Sequence, residues 1–259
     1  MSRIKTADEI EALKRGGVIL SRALRKVREA CVAGVTTEEL DRIARQEIEA
    51  SGGRPSFLGY RISKSDPPFS STLCISINDE VVHGPALPAR VIKDGDVVGL
   101  DIGMWYEGLA TDMATTVIVG SVSDKIRKLV AVTRTSLERA LQVVQSGVPV
   151  GEIGVAVEET VVPYGFGIIR ELVGHGVGHA VHEDPQVPNY RNAKAMKEML
   201  ETDMVIAIEP MITLHGAEIY TKDDEWTIAT RDGSCSAHFE VTIAITDDGY
   251  DLITPWPDV

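Results

Sequence analysis

The sequence predicts an α+β fold built from two similar halves, each made of two helices followed by antiparallel strands. Three observations support this prediction: apolar residues recur at helical spacing, a run of β-branched residues predicts a long hairpin, and motifs of the first half reappear in the second. We expect two halves, at about residues 1–120 and 121–259, related by a pseudo-twofold axis around a curved antiparallel sheet. Together they would form a single domain over residues 1–259.

Helices are predicted at the start of each half. From Ala7 to about Val32, apolar residues at helical spacing alternate with basic ones, which predicts an amphipathic helix with a basic face. That face is either solvated or a docking surface for an acidic partner. A second helix follows a capping box formed by Thr36 and Glu39, and it ends at Gly52-Gly53. The helical pattern returns between Ser123 and Gly147.

Strands are predicted after the first two helices. A loop rich in Pro, Ser and Gly covers Arg54 to Ser71, and Leu73 to Val82 then predicts a strand pair or one bent strand around Asn78-Asp79. The segment His83-Gly84-Pro85 ends this strand region. We expect the central hairpin of the first half to follow it.

That hairpin, from Val97 to Gly120, carries two acids among apolar neighbours. Folding it about the bond between Tyr106 and Glu107 would place Asp101 opposite Asp112, and cross-strand partners lie about 5 Å apart. Two carboxylates at that distance repel each other and are costly to desolvate. A divalent metal ion between them is the simplest compensation.

The repeated motifs predict symmetry mates for these two acids. The strand motif around Asp101 recurs around Glu209, just as the helix-start motif of the first half recurs in the second. If the halves meet along their sheets, Asp101 and Glu209 face one another at the seam. The last predicted strand, residues 237–245, carries Glu240 as its one acid, which makes Glu240 the mate of Asp112.

Three of the six histidines lie in the glycine-rich segment Glu171–Pro185, at His175, His179 and His182. A lone histidine is usually a surface residue or a hydrogen-bonded core residue. Here the glycines let backbone and substrate approach closely, and the nearby acids at apolar positions need cationic partners. The segment is therefore a candidate for the same site.

Five residues supply four carboxylates and one imidazole: Asp101, Asp112, His175, Glu209 and Glu240. Four negative charges balance two divalent cations, and an oxygen-rich donor set suits Mn, Fe, Co or Zn rather than copper. Two metals about 3.5 to 4 Å apart would bridge a hydroxide and polarise a carbonyl, which predicts metal-assisted hydrolysis. Salt-bridged structural acids are the alternative, although arginine is absent from both strand motifs.

Composition excludes several other classes. The net charge of -13 argues against a broad surface for nucleic acid or anionic membrane. The cysteines at 31, 74 and 235 are far apart and in no zinc-ribbon spacing, so we expect neither disulfides nor a cysteine metal site. The N-terminal residues lack an apolar h-region, and no run of about 18 apolar residues occurs. We expect a soluble cytoplasmic protein.

From roughly Ile4 to Leu252, the chain resembles a type I methionine aminopeptidase of the short bacterial form, in the pita-bread (creatinase/aminopeptidase) fold. The shared motifs are Asp101-Ile-Gly with Asp112, Gly174-His175-Gly-Val-Gly with His182, Ile208-Glu209-Pro210-Met211, and Ser236-Ala-His-Phe-Glu240. The short stretch between the last two motifs leaves no room for the helical insertion of type II enzymes.

The resemblance implies a role for each metal-site residue. Asp101 would chelate one metal, His175 and Glu209 would chelate the other, and Asp112 and Glu240 would bridge the pair. The substrate α-amine would also ligate a metal, so that only N-terminal residues are cut. Glu209 would in addition shuttle a proton for the bridging water.

The resemblance also implies substrate contacts. His83 would hydrogen bond near the scissile amide, and His182 would stabilise the carbonyl oxygen as it becomes an oxyanion. His179 matches no catalytic position of the family. An apolar slot suited to a thioether would be formed by Tyr60, Phe69, Cys74 and Trp226.

Four positions depart from the family pattern, all around this pocket and none at a metal ligand. They are Pro85-Ala86 after the His-Gly pair, Val181, Val241, and a loop between Tyr60 and Cys74 that is about six residues longer than usual. Catalysis is therefore a firmer expectation than substrate preference.

The implied function is removal of the initiator methionine from nascent chains, with preference for a small second residue. The implied partners are nascent polypeptide N-termini and transiently the ribosome, although the acidic excess of residues 217–233 argues against ribosome contact through that loop. Neither a membrane nor a specific nucleic acid is an expected partner, and we expect a monomer. The alternatives are an Xaa-Pro aminopeptidase or prolidase, which usually carries an extra N-terminal domain, and a non-catalytic binding module of the same fold.

Overall fold

The computed structural model describes residues 3–61, 63 and 67–258. In this part of the chain the α-helices are Ala7–Ala30 (α1), Thr37–Ala50 (α2), Asp124–Leu141 (α3) and Gly151–Val161 (α4). The strands of the first half are Arg54–Pro55 (β1), Leu73–Ile77 (β2), Glu80–Val82 (β3), Val97–Tyr106 (β4) and Leu109–Ile118 (β5). Those of the second half begin with Gly167–Ile168 (β6), Gly174–Gly176 (β7), Glu183–Val187 (β8), Val205–Ile208 (β9) and Met211–Thr213 (β10). They continue with Ile219–Thr221 (β11), Ile228–Thr230 (β12), Ser236–His238 (β13), Val241–Ile245 (β14) and Tyr250–Leu252 (β15).

The helices form where the apolar periodicity predicts them, and side chains fix their starts. Thr6 caps α1, because its hydroxyl accepts from the Glu9 amide while the Glu9 carboxylate accepts from the Thr6 amide. Thr36 caps α2 by accepting from the Glu39 amide. Each half therefore begins with a helix pair, in agreement with the predicted α+β arrangement. Within the described residues, no helix is both long enough and apolar enough to cross a membrane.

The first sheet is organised around β4. Strand β5 pairs with one edge of β4, while β2 and β1 pair with the other edge, all antiparallel. The hairpin turn lies at Glu107-Gly108, where φ is 50° and 82°, and positive φ at both positions is what a two-residue type I′ turn needs. Asp101 consequently pairs with Ala114, so the predicted pairing with Asp112 is wrong by two residues. A shift of two keeps both acids on the same face of the sheet.

The second half forms a five-stranded antiparallel sheet in the order β15-β14-β9-β7-β8. The predicted continuous strand over residues 237–245 is wrong at its centre, because β13 joins β10 and β6 in a separate sheet whereas β14 joins the five-stranded one. At this switch, Glu240 forms an isolated bridge with Ala114 of β5. The two halves therefore meet at Glu240.

In the described residues, the core consists of one apolar cluster in each half, a third cluster between them, and a small fourth cluster of Val81, Val82, Ile169 and Met211. Helices α1 and α2 cover the first sheet, and α3 and α4 cover the second. The third cluster brings Phe57 and Phe69 of the first half together with Val177, Val181 and Val205 of the second. This cluster fixes the positions of the loops around the seam.

Helix α1 approaches the C-terminal segment so closely that one of its glycines has no room for a side chain. A Cβ atom on Gly17 would overlap the carbonyl oxygen of Ile253, whereas one on Gly16 would lie 3.3 Å from Cβ of Tyr106. We expect Gly17→Ala to lower the free energy of unfolding by about 1–3 kcal/mol through overpacking. Gly16→Ala is the matched control and should cost less, because helix propensity favours alanine. Thermal and urea unfolding would measure both, and equal effects would contradict the explanation.

Candidate metal centre and substrate cavity

A cavity of about 520 Å³ opens at the seam between the halves. All eleven residues that the sequence suggests for the site line it: Tyr60, Phe69, Cys74, His83, Asp101, Asp112, His175, His182, Glu209, Trp226 and Glu240. The structure thus brings the candidate ligands and the candidate pocket residues together. Their individual roles stay predictions. Other lining residues were not anticipated, among them Phe57, Val82, Leu172, Gln186 and Met211.

The four acids reach the cavity floor from both halves. Asp101 lies on β4 and Asp112 on β5, whereas Glu209 directly follows β9 and Glu240 directly precedes β14. Burial raises the pKa of Asp101 to about 7 and that of Glu209 to about 8. Burial, and then repulsion from the neighbouring carboxylates, raises the pKa of Asp112 and of Glu240 well above the usual range. The cluster therefore resists ionisation when no cation is present.

Donor atoms of this cluster lack partners, which tests whether a metal would fit. Oδ1 of Asp101, Oδ1 of Asp112 and Oε1 of Glu240 are buried without a hydrogen-bond partner. Glu209 and Glu240 have histidine nitrogens within 4 Å, and within the described part of the chain neither Lys nor Arg pairs with any of the four acids. Buried carboxylates normally satisfy such oxygens with hydrogen bonds, paired charges or metals. The residues present therefore fit divalent cations.

His175 is set up to donate a nitrogen to this cluster. Its Nδ1 lies 2.9 Å from the carbonyl oxygen of Gly176, which can only accept, so Nδ1 carries the proton and Nε2 is left with a free lone pair. Nε2 lies 3.4 Å from Oε1 of Glu209. Burial, followed by the charge of His182, lowers the pKa of His175 to about 3, which keeps the imidazole neutral. A neutral, oriented imidazole is the form that binds metals.

Among the described residues, two groups of donor atoms share one member, and the atoms within each group lie within 4.8 Å of one another. They are Asp112 with His175 and Glu240, and Glu209 with His238 and Glu240. Asp101 belongs to neither group, although its carboxyl group interacts directly with that of Asp112. His238 was missed as a site residue. The signal was present, because residues two apart on a strand share a face and His238 precedes Glu240 by two.

The other two histidines of the cavity lie beside the cluster. His83 follows β3 with φ of 60°, a conformation that is uncommon outside glycine. Burial, and then the charges of His182 and His238, lowers the pKa of His83 to about 4. His182 lies in the exposed mouth, where its Nδ1 is 2.9 Å from the Tyr60 hydroxyl and its ring is 4.5 Å from that of His175. Both are therefore available to contact a bound molecule.

Apolar side chains form the remaining wall. Phe69 and Trp226 meet edge to face with ring centroids 5.2 Å apart, and buried Cys74 pairs through its backbone with Asp101. The amide of Phe69 donates to the carbonyl of Tyr60. This hydrogen bond closes the base of the loop between Tyr60 and Phe69, a loop whose extra length stays a prediction. Ile62 and 64–66 lie outside the described residues.

Three basic side chains outside this cavity, those of His179, Lys222 and Arg231, each lie close to an acid. His179 pairs with Glu9 of α1 through a 2.7 Å contact between its Nε2 and Oε1. Lys222, in the acidic loop that carries Trp226, lies 3.0 Å from Oε1 of Glu80. Arg231 of the same loop pairs with Glu218. Positive charge in this loop is thus already paired within the fold.

Comparisons with known proteins agree with this geometry. Residues 11–247 match metallopeptidase family M24. The methionine aminopeptidase of Aquifex aeolicus is 44% identical over 247 residues, covering 95% of this chain and 96% of that protein. The crystal structure of methionine aminopeptidase from Thermotoga maritima has a TM-score of 0.92 and 40% identity, covering 98% of this chain and 99% of that one. A prolidase from Pyrococcus horikoshii OT3, at TM-score 0.75 and 22% identity over 63% of its chain, shares the fold.

The chain therefore belongs to metallopeptidase family M24. Its nearly full-length relatives at about 40% identity are methionine aminopeptidases, so within that family it groups with these hydrolases. The resemblance drawn from its motifs is confirmed, and so is the predicted pita-bread fold.

Proposed function

We propose that the chain removes the N-terminal methionine from nascent proteins and peptides, with preference for a small second residue. The observation that carries this proposal is the convergence of four buried acids and an apolar slot in one cavity. The acids need cations, and an apolar slot of aromatic and sulfur-containing side chains suits a methionine thioether. Relatives that align over nearly the whole chain are methionine aminopeptidases, which supports the same activity.

The residues that would hold two divalent cations are Asp101, Asp112, His175, Glu209 and Glu240. When bound, the cations would supply Lewis acidity toward the peptide carbonyl and acidify water. Mn, Fe, Co and Zn all suit this donor set. Asp112 and Glu240, which come from different halves and contact the other acids, are the candidates for bridging ligands.

The remaining side chains would bind and orient the peptide. The side chain of Glu209 is 12% exposed, and this residue would move a proton between water and the leaving amine. His83 would hydrogen bond near the scissile amide. His182, held at the mouth by the Tyr60 hydroxyl, would donate to the carbonyl oxygen as charge develops there.

The cysteines and the proposed substrate indicate the cellular compartment of this reaction. Three free cysteines suit a reducing compartment, and nascent chains are met in the cytoplasm. Transient ribosome contact stays an expectation, and the pairing of Lys222 with Glu80 argues against placing it in the loop that carries this lysine.

A peptide assay separates this function from its alternatives. We expect the full chain, loaded anaerobically with Mn, Fe, Co or Zn, to release methionine from Met-Ala-Ser and to act poorly on Met-Leu-Ser. N-acetyl-Met-Ala-Ser should resist cleavage, because its α-amine is blocked. Exclusive turnover of Xaa-Pro peptides would favour the prolidase alternative, and no turnover of any peptide with any metal would favour a binding module.

A further inference from the structure

His238 is a buried histidine at the metal cluster whose outer ring nitrogen has no hydrogen-bond partner. The residue is 3% exposed, and its Nε2 is buried and unpaired. This atom lies 3.5 Å from Oε2 of Glu209 and 3.9 Å from Oε2 of Glu240. Both carboxylates are candidate metal ligands, so His238 faces the cluster rather than the protein core.

The two distances are longer than hydrogen bonds from nitrogen to oxygen, which lie at about 2.7–3.2 Å. The 3.5 Å distance to Glu209 matches the separation of two atoms that share one cation, and the 3.9 Å distance to Glu240 is slightly longer than that. Donors each about 2.0–2.2 Å from a tetrahedral metal lie roughly 3.3–3.6 Å apart. His175, the histidine already assigned to the cluster, shows the same spacing, with its Nε2 3.4 Å from Oε1 of Glu209. The two oxygens of Glu209 thus each face one imidazole.

The backbone of His238 is held firmly in this position. Its amide donates to Oγ1 of Thr116, whose hydroxyl donates back to the His238 carbonyl, at 2.9 and 2.6 Å. On the other side, His238 pairs with Met211 of β10. A side chain on a backbone fixed from both sides reaches the cluster with little freedom to leave it, which is the condition for a preorganised ligand.

We propose that His238 is a direct ligand of one of the two divalent cations, together with Glu209 and Glu240. This proposal rests on the proposed dimetal function and adds a second imidazole to the donor set. Each of the two donor groups then contains one histidine, and Glu240 belongs to both. The centre differs from one in which His175 supplies the only nitrogen.

A second nitrogen donor should change which metals bind well. Imidazole suits Co and Zn, whereas carboxylate and water suit Mn. Losing an imidazole should therefore weaken Co and Zn binding more than Mn binding. The effect should be confined to one of the two cations, because the group containing His175 keeps its nitrogen.

The test is metal titration of the full-length protein after chelation, with His238→Gln compared with wild type. We expect the variant to lose at least about tenfold in affinity for one of two Co²⁺ or Zn²⁺ ions, and less for Mn²⁺. The visible absorption of the bound Co²⁺ should change as well. His215→Gln removes an exposed histidine and should bind as wild type does. An unchanged Co²⁺ spectrum and unchanged affinities in His238→Gln would overturn the proposal.

A measurement on the wild type keeps the test valid if the variant does not fold. In the Co²⁺ protein, each coordinated imidazole gives a strongly shifted, solvent-exchangeable N–H proton resonance. Two such resonances support His238 as a ligand, and one resonance overturns it. If the proposed function is wrong, a different result is expected. The wild type would then bind fewer than two cations or would not cleave Met-Ala-Ser. Binding of fewer than two cations would overturn both proposals.

Discussion

Asp112→Asn or Glu240→Gln should abolish metal-dependent cleavage of Met-Ala-Ser. Each substitution replaces a charged donor in the centre of the cluster with a neutral amide of the same shape. Both side chains belong to the donor groups of the centre, and Glu240 belongs to both groups. We expect activity to fall on the order of a thousandfold or more, equivalent to about 4 kcal/mol in the barrier. Initial rates with saturating Mn²⁺ or Co²⁺ would measure the loss.

Without metal, the same variants should be at least as stable toward unfolding as the wild type. Each removes one of four buried carboxyl groups that raise one another's pKa, so unfolding in the presence of EDTA should not become easier. The rise in melting temperature on adding metal should disappear, because the stabilising ligand no longer binds. Asp223→Asn, at an exposed position of the acidic loop, is the control and should keep both activity and metal stabilisation. Full activity in either cluster variant would refute the ligand assignment.

Sequence periodicity was sufficient to predict the faces on which the acids lie, but not their exact pairing. Placing the turn one residue too early shifted the register by two, from Ala114 to Asp112 as the partner of Asp101. The turn is set by positive φ at Glu107 and Gly108, and glutamate gives no sign of that conformation. Since strand faces alternate with period two, the conclusion that the two acids share a face survived the error.

The break in the last strand could not be deduced in the same way. The run 236–245 alternates like one strand, yet the chain changes sheets at Glu240 because its flanks pair with different partners. Pairing of that kind depends on long-range contacts with β9 and β10, which local patterns do not encode. The position of His238 beside the cluster was predictable, because it lies two residues before Glu240.

Lys5→Met should destabilise the protein and slow catalysis without weakening metal binding. The Lys5 side chain is completely buried, and its Nζ lies 2.7 Å from Oε2 of Glu183. The other oxygen of Glu183 accepts from the Ala180 amide, and a Cβ atom on Gly178 would overlap the lysine chain. Through these contacts, Lys5 holds the loop that ends in His182 in position. Removing one partner of a buried ion pair costs about 3–5 kcal/mol.

The expected drop in melting temperature is roughly 6–20 °C for a domain of this size. Lys14→Met is the matched control, because Lys14 pairs with Asp251 at an exposed position and surface pairs contribute about 0–1 kcal/mol. The double variant Lys5→Met with Glu183→Gln should recover part of the loss, since no unpaired buried charge remains.

Measuring kcat distinguishes a role of Lys5 in positioning the loop from a general loss of stability. His182 directly precedes Glu183, and it contacts Tyr60 and His175 from the cavity mouth. If Lys5 positions this histidine, kcat of Lys5→Met should fall well below that of the control at a temperature where both are folded, while Co²⁺ affinity stays unchanged. Lys5 contacts Glu183, which is not a candidate ligand, so a parallel loss of metal affinity would contradict the interpretation. Unchanged kcat with lowered stability would limit Lys5 to a structural role.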